Sequence, residues 1–278
     1  MPHVSIRRTI LNLKDILVVS DLDGTLLSKE RTVPTRNLEA IARLKRKGGH
    51  FAVATGRSAE TGAQYLAAVA PNGPCIILNG TILYDYPTKK ILWSLPMNPE
   101  TTRNYIRLIQ KRFPSTGIEV FGTNCVHVIN RNDYVVQHLS RENLHGYEPD
   151  IFDGRPLCKA LFLDDEKTID QVIDFTETFP HDEMRFVKSS AHYLEMLPVN
   201  ADKGRALMKA AELYGYSIKN IYAIGDFYND VELLKAAGFA AVPQNSPDDL
   251  KRQADLVVCH CDDGAVADLI EYIERKTE

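Results

Sequence analysis

Two acidic residues follow a short apolar segment near the start of the chain. Residues 16–19 read Ile-Leu-Val-Val, which is typical of a strand buried on both faces of a parallel sheet, and Asp21 and Asp23 follow within the sequence Asp-Leu-Asp-Gly-Thr. Side chains alternate between the faces of a strand, so both acids are predicted to emerge on the same side. Ligands of open parallel sheets bind beyond the carboxyl ends of the strands, which favours a chemical role. An ordinary turn is the alternative interpretation, because Asp and Gly are common turn residues.

The second predicted strand, residues 50–54, also ends in a polar sequence. Thr55 and Gly56 follow it and precede a predicted helix at residues 59–69. The first amides of a helix have no partners inside the helix, so a hydroxyl group and bare backbone donors at this position suit a phosphate group. The same residues are also typical of an ordinary helix start, because Thr and Ser are favoured N-cap residues.

A third predicted strand, residues 221–224, ends in the sequence Gly-Asp-Phe-Tyr-Asn-Asp, which contains Asp226, Asn229 and Asp230. These acids are expected to converge with those that follow the first strand. Converging carboxylates repel one another unless a cation lies between them, and a hard divalent cation such as Mg²⁺ prefers oxygen ligands. We therefore predict a magnesium site. Lys203, at the start of a predicted helix, is the candidate fixed positive charge, although a lone lysine is usually a solvated surface residue.

Together, these segments resemble the motifs of the haloacid dehalogenase-like hydrolase superfamily. The resemblance rests on Asp-Leu-Asp-Gly-Thr at Asp21, Thr-Gly-Arg at Thr55, Lys203, and Gly-Asp-Phe-Tyr-Asn-Asp at Asp226. The insertion between the second and third motifs looks like the large α/β cap of Cof-type sugar-phosphate phosphatases. The resemblance implies a magnesium-dependent phosphatase that hydrolyses small phosphate monoesters, such as sugar phosphates or related metabolites, through an aspartyl-phosphate.

The resemblance also implies which residues react and which hold the metal. Asp21 is the expected nucleophile and Asp23 the expected general acid and base, an arrangement that divides one difficult displacement into two easier ones. The Asp21 carboxylate, the Asp23 backbone carbonyl and the Asp226 carboxylate are the expected Mg²⁺ ligands. Asp230 is expected to orient a metal-bound water or Lys203 rather than to bind the metal.

A second set of residues is expected to bind the phosphate group of the substrate. These residues are Thr55, Gly56, Lys203 and Asn229. Relatives that dehalogenate or cleave phosphonates, and the ion-pumping ATPases, resemble a pattern without an acid at position 23, so Asp23 favours phosphate-ester hydrolysis or transfer.

Strands alternate with helices in both terminal parts of the chain, which predicts an α/β fold with a doubly wound, Rossmann-like parallel sheet. Between about residues 84 and 198 the pattern changes to hairpin-like strand pairs mixed with helices. This segment is predicted to be an inserted α+β domain, with a mostly antiparallel sheet covered by helices on one face. We predict a catalytic core of residues 1–83 and 199–278, and a cap of residues 84–198 that closes over the core and sets substrate specificity.

Composition limits the function classes. The 278 residues include 33 Lys plus Arg and 37 Asp plus Glu, and this net charge of −4 lacks the basic excess of a nucleic-acid-binding protein. Charged residues interrupt the first twenty positions, and no later segment is apolar enough to span a bilayer, so we expect a cytoplasmic protein without a membrane partner. A small phosphorylated metabolite is the expected partner, and the sequence assigns no oligomeric state.

Cysteines and histidines suggest no second site. Five cysteines, at positions 75, 125, 158, 259 and 261, form no Cys-x-x-Cys pair and are predicted to be reduced, buried thiols. Scattered histidines without ligand spacing are usually structural or solvated, so none in the predicted cap receives a catalytic role. These are His127, His138, His181 and His192.

Two other functions use the same residues. A phosphomutase or phosphotransferase of the same superfamily would share the core and accept a hydroxyl group instead of water. A phospho-metabolite sensor would bind the ligand without turnover, although the complete set of acid, base, lysine and metal ligands argues against it.

Overall fold

The computed structural model describes residues 12–123, 125–147, 155–180 and 182–277. In chain order, the strands of these ranges are β1 (Leu17–Ser20), β2 (His50–Val53), β3 (Cys75–Ile77), β4 (Ile82–Asp85), β5 (Lys90–Ser94), β6 (Gly117–Gly122), β7 (Val126–Asn130), β8 (Gly146–Tyr147), β9 (Leu157–Leu163), β10 (Met184–Ser190), β11 (Tyr193–Pro198), β12 (Ile221–Ile224), β13 (Phe239–Pro243) and β14 (Leu256–Val258). The α-helices are α1 (Thr35–Arg46), α2 (Ala59–Leu66), α3 (Pro99–Arg112), α4 (Asp133–Glu142), α5 (Glu166–Thr176), α6 (Lys203–Tyr214), α7 (Val231–Ala236), α8 (Asp248–Lys251) and α9 (Ala265–Thr277).

A five-stranded parallel sheet in the order β14-β13-β12-β1-β2 forms the centre of the core. Every residue of β1 is buried, because helices flank the sheet: α1 packs against α9, and α6 against α7. Ser20 pairs with both Val53 and Ile224, so β1, β2 and β12 end at the same level. The predicted doubly wound parallel fold is confirmed, and three adjacent strand ends meet at one edge.

A six-stranded sheet in the order β10-β11-β9-β6-β7-β8 lies within the predicted cap segment. Its pairs are antiparallel except β7 with β8. Helices α3 and α5 cover one face through residues such as Ile109 and Val172. The prediction that helices lie on one face only is wrong, because α4 packs Val135 and Leu139 against Phe121 on the other face.

The strand that follows α2 is not part of the predicted parallel sheet. Here β3 pairs antiparallel with β4, which pairs with β5, and a single parallel bridge between Ala54 and Ile76 joins β3 to the central sheet. The chain turns after β3, where Asn79 has a left-handed φ of 54°. The predicted core–cap boundary at residue 84 falls inside β4, and the division into two domains stays a prediction.

Two predicted helices are shorter in the structure. Helix α2 ends at Leu66 rather than at residue 69, because the chain turns at Ala70, which has a φ of 47° and donates its amide to the Leu66 carbonyl at 2.8 Å. The helix expected from residue 228 begins as a 3-10 turn, Tyr228–Asp230, and becomes α7 only at Val231. No helix in the described ranges has both the length and the apolar composition needed to cross a bilayer. The expectation of a cytoplasmic protein rests partly on residues 1–11, which lie outside the described residues.

Candidate active site

The carboxyl ends of β1, β2 and β12 form the floor of a cavity of about 580 Å³, and the six-stranded sheet forms its opposite wall. The structure places seven of the eight predicted site residues in its lining: Asp21, Asp23, Thr55, Gly56, Lys203, Asp226 and Asn229. The eighth, Asp230, is fully buried behind them. Residues that lie more than 200 positions apart in the sequence therefore share one site.

Lys203 links the acids at this edge of the sheet. Its ammonium donates to Asp21 Oδ1 and to Asp230 Oδ1, both at 2.6 Å, and its side chain is 1% exposed. Lys203 reaches them because it is the first residue of α6, which closely approaches α7. A Cβ atom at Gly204 would lie 2.1 Å from the Glu232 carbonyl oxygen, so only glycine permits this approach.

Negative charge exceeds positive charge in this cluster. Oxygen atoms of Asp21, Asp226 and Asp230 lie within 4.8 Å of one another. Burial, together with the neighbouring Asp230, raises the pKa of Asp21 well above its usual value and that of Asp226 to about 6. Burial alone would lower the pKa of Lys203, but the Asp21 and Asp230 carboxylates raise it overall. One ammonium therefore does not balance three carboxylates.

The cluster fits a hard cation such as Mg²⁺. Both oxygens of Asp230 are occupied, Oδ1 by Lys203 and Oδ2 by the backbone amides of Asp226 and Phe227. Asp21 accepts its hydrogen bond through Oδ1, and Asp226 accepts through Oδ1 from Thr25 at 3.0 Å. Among the described residues, the second oxygen of each of these two carboxylates receives no hydrogen bond, so both carboxylates can still bind a cation.

Asp23 has a different environment from Asp21. Its side chain is 47% exposed, and both of its oxygens accept from Arg57, Nε to Oδ2 and Nη2 to Oδ1, each at 2.8 Å. The remaining terminal nitrogen of Arg57 donates to Glu142 on α4. Asp23 and Glu142 together raise the pKa of Arg57, against the opposing effect of burial. No site role was predicted for Arg57, although it is the third residue of the Thr-Gly-Arg sequence.

The second strand end presents the predicted phosphate-binding groups. Thr55 is 1% exposed, and its hydroxyl oxygen accepts the Arg57 amide at 3.2 Å. The Gly56 carbonyl accepts from Lys159 on β9 at 3.0 Å, which joins the core to the facing sheet. Asn229 lies exposed in the lining, whereas the Lys203 ammonium is engaged by Asp21 and Asp230.

Several residues of the facing wall were missed. Asn79 donates to Glu195 Oε2 at 2.6 Å, and Lys159 lies 3.5 Å from Glu195 Oε1. Lys159 and Glu195 are charged residues inside otherwise apolar, buried strands, and this local break in the pattern could have identified them. Asn79 received no site role from the sequence, and its buried Oδ1 atom has no hydrogen-bond partner among the described residues.

The histidines and cysteines show mostly structural contacts. His138 lines the cavity but bonds Glu119 at 3.1 Å, and His192 contacts the Asp164 carbonyl at 3.1 Å. His127 is 1% exposed, and His181 lies outside the described residues. All five cysteines are free thiols.

Comparison with known families and sequences adds to this geometry. The model of the haloacid dehalogenase-like hydrolase family matches residues 18–270. The chain is 28% identical to the pyridoxal phosphate phosphatase YbhA of Escherichia coli, a match that covers 87% of this chain and 92% of that protein. It is 27% identical to the 5-amino-6-(5-phospho-D-ribitylamino)uracil phosphatase YwtE of Bacillus subtilis, covering 92% and 97% of the two chains.

Solved structures share the fold. A haloacid dehalogenase-like hydrolase from Bacteroides thetaiotaomicron superposes with a TM-score of 0.84 at 23% identity, covering 93% of this chain and 99% of that one. A Thermotoga maritima protein superposes with a TM-score of 0.82 at 24% identity, covering 92% and 97%. At these identities the likeness concerns the fold alone.

Proposed function

The chain belongs to the haloacid dehalogenase-like hydrolase family, and we propose that it is a magnesium-dependent phosphatase acting on small phosphate monoesters through an aspartyl-phosphate on Asp21. The family resemblance predicted from the sequence is confirmed. The predicted enzyme class, a hydrolase of phosphoric monoester bonds, is confirmed at the level of the family and its named relatives. The cytoplasmic location stays a prediction.

The observation that carries the proposal is the environment of Asp21. This carboxylate is 5% exposed, lines the cavity and is held through one oxygen by Lys203 at 2.6 Å. A nucleophile needs a fixed orientation and a free reactive atom, and Oδ2 of Asp21 meets both conditions. A residue that only stabilised a turn would not need a buried ammonium partner.

In the first step, an Asp21 oxygen attacks the phosphorus atom in line with the leaving oxygen. The new bond joins Asp21 to phosphorus, the ester bond breaks, and a proton from Asp23 neutralises the departing alkoxide. Thr55, Gly56 and Asn229 line the space beside Asp21 and would bind the non-reacting phosphate oxygens. The fixed charge of Lys203 balances negative charge on the transferring group.

In the second step, Asp23 as a carboxylate takes a proton from water, whose oxygen attacks phosphorus and releases Asp21 and inorganic phosphate. Arg57 holds both oxygens of Asp23 in this structure. Proton transfer therefore requires Arg57 to release one of them. Glu142, the second partner of Arg57, would retain the guanidinium during that exchange.

Bound Mg²⁺ would supply charge neutralisation for the transferring phosphoryl group. Asp226 would hold it through the oxygen that receives no hydrogen bond, Asp21 through Oδ1, which keeps a second lone pair beside its contact with Lys203, and Asp23 through its backbone carbonyl. Asp230 would position Lys203 and the turn that carries Asp226, because both of its oxygens are already used.

Pyridoxal phosphate and 5-amino-6-(5-phospho-D-ribitylamino)uracil, the compounds in the names of the two relatives, are substrate candidates alongside sugar phosphates. A cavity of about 580 Å³ accommodates molecules of this size. All are phosphate monoesters of small polar alcohols, which agrees with the charged and polar side chains among the lining residues.

The test is phosphate release from a panel of such esters, with Mg²⁺ and with chelator. We expect release to require the metal, and Asp21→Asn to lower kcat by about 1,000-fold or more because the nucleophile is lost. Asp174→Asn, an exposed carboxylate on α5, is the matched control and should keep full activity. Unchanged release by Asp21→Asn would refute the mechanism.

A further inference from the structure

Arg185 lies on β10 and lines the cavity from the side opposite the reacting aspartates. It pairs in register with Leu197, and Val187 pairs with Glu195, so alternation places these four side chains on the cavity face of the sheet. The Nε atom of Arg185 is buried and has no hydrogen-bond partner among the described residues.

The other Lys and Arg side chains of the lining are all paired. Arg57 bonds Asp23 and Glu142, and Lys203 bonds Asp21 and Asp230. Lys159 pairs with Glu195, and Lys188 pairs with Asp170 on α5. Within the described ranges, Arg185 is the one cation of the cavity wall that forms no ion pair.

Three carboxylates, those of Asp202, Glu195 and Glu232, are near Arg185, but none of them forms an ion pair with it among the described residues. Burial lowers the pKa of Arg185, and Asp202, Glu195 and Glu232 only partly oppose this effect. Glu195 is already bonded by Asn79 and Lys159. A buried donor without a partner is unfavourable, so a ligand that supplies oxygen acceptors here would bind with a gain.

We propose that Arg185 is a specificity-determining residue that binds a second anionic group, a carboxylate or a second phosphate, on the leaving group of the substrate. Arg57 is an example of such two-point binding, because its Nε atom and one terminal nitrogen donate to the two oxygens of the Asp23 carboxylate. The guanidinium of Arg185 lines the cavity and forms no ion pair among the described residues, and its planar fork suits a carboxylate or phosphate. The inference rests on the proposed phosphatase function and names a class within it: phosphate monoesters with a second negative charge.

The experiment compares matched substrate pairs on the full-length enzyme with Mg²⁺. 3-Phosphoglycerate against glycerol 3-phosphate tests a carboxylate, and fructose 1,6-bisphosphate against fructose 6-phosphate tests a second phosphate. We expect the wild type to prefer the two-anion member of at least one pair. Arg185→Gln should lower kcat/KM for that member about 10- to 100-fold, mainly through KM, and change the one-anion member less than about two-fold.

Two further variants control this result. Arg107→Gln removes one positive charge from an exposed position on α3 and should leave both members of each pair unchanged. Arg185→Lys should retain part of the preference, because it keeps the charge and loses the fork. Equal losses of kcat/KM on both members of a pair would indicate a structural role for Arg185 and would overturn the proposal. A wild type that shows no preference for the two-anion member, or a preference that Arg185→Gln leaves unchanged, would overturn it as well.

Binding separates this inference from the proposed function. The Asp21→Asn protein is titrated calorimetrically with the same four compounds, with and without Arg185→Gln. If the wild type hydrolyses none of the esters but the two-anion compounds bind more tightly in an Arg185-dependent manner, the phosphatase proposal fails and the anion site stands. If hydrolysis occurs without that preference in rate or binding, the anion site fails and the phosphatase stands.

Discussion

Lys203 and Arg185 are both cations of the same cavity, but the core pairs Lys203 with carboxylates, whereas the facing sheet leaves Arg185 without an ion pair among the described residues. Lys203 has two carboxylate partners at 2.6 Å, whereas the Arg185 Nε atom has no partner among the described residues. The Lys203 ammonium of the core wall is thus fully paired before any ligand binds. The opposite wall keeps donor capacity for the ligand.

This difference follows from where the two residues lie in their sheets. Lys203 contacts the end of β1, the fourth of five strands in the central sheet order, which has neighbours on both sides and is fully buried. Arg185 lies on β10, an edge strand whose last residues are exposed. A buried network fixes the geometry around a phosphate group common to all substrates, while an edge strand tolerates change around a leaving group that differs between them.

The largest expected effect comes from removing the core cation. Lys203→Met leaves the buried Asp21 and Asp230 carboxylates without their shared ammonium, which should lower the free energy of unfolding by about 3–5 kcal/mol. Activity should fall about 1,000-fold, as expected when a fixed charge that stabilises the transition state is lost. Urea denaturation and phosphate release measure the two effects.

Lys209→Met on the same helix provides the control for that variant. Lys209 lies one turn and a half further along α6, and it pairs with Glu212 at the surface. A surface pair of this kind contributes at most about 1 kcal/mol. If Lys203→Met were as stable and active as Lys209→Met, the core network would not be the constraint described here.

A change of pH is expected to have a smaller effect on the free energy of unfolding of the metal-free protein. Burial and the Asp230 carboxylate raise the pKa of Asp226 to about 6, whereas an unfolded Asp titrates near about 3.9. Between these values the folded state binds more protons than the unfolded state, so the free energy of unfolding must fall as pH rises through about 4 to 6. The stabilisation that protonated Asp226 provides is complete below the pKa of this group in the unfolded state, and it is lost above the pKa of the group in the folded state.

Mg²⁺ should reverse this trend, because it favours the ionised acids. Thermal unfolding at about pH 5 and about pH 7.5, with chelator or with Mg²⁺, should show metal stabilisation that is larger at the higher pH. Asp226→Asn should weaken the pH trend, because only the part due to the raised pKa of Asp21 remains, and should remove most of the metal effect. Equal stabilisation by Mg²⁺ at both pH values would contradict the predicted ligand set.

The core wall was more predictable from sequence than the facing wall for a physical reason. Asp21, Thr55 and Asp226 each follow an apolar strand, and parallel strands bring their carboxyl ends together whatever else the chain does. The pairing of Lys203 with Asp230 depends on the close approach of α6 to α7 at Gly204. Nothing in the local sequence gives that distance, and only the family resemblance led us to expect Asp230 to orient Lys203 or a metal-bound water.

Arg185 and Glu195 could not be assigned in the same way. Their orientation depends on the antiparallel register of β10 and β11, and a shift of one residue would move each side chain to the other face. Helix α4 was also missed, and with it the contact between Glu142 and Arg57. Contacts between two sheets are set by tertiary packing, which strand periodicity does not encode.

Glu195→Gln gives the smallest expected effect and directly sharpens the comparison of the two walls. Removing this charge leaves Lys159 without its carboxylate partner and frees Arg185 from a nearby negative charge, so the facing wall becomes more positive. The amide retains an acceptor for Asn79. We expect KM for two-anion substrates to fall about 2- to 5-fold, as expected for a partly screened charge, with little change for one-anion substrates.

The control for this variant is Glu177→Gln, an exposed carboxylate just after α5 that removes the same charge away from the cavity. Steady-state kinetics on the four esters at low and high ionic strength measures the outcome. The decrease in KM should become only partly smaller at high salt, because salt screens charges in a cavity less than charges at the surface. A higher KM for two-anion substrates in Glu195→Gln would show that Glu195 positions Arg185 rather than opposing its ligand, and the two walls would then both depend on carboxylate partners.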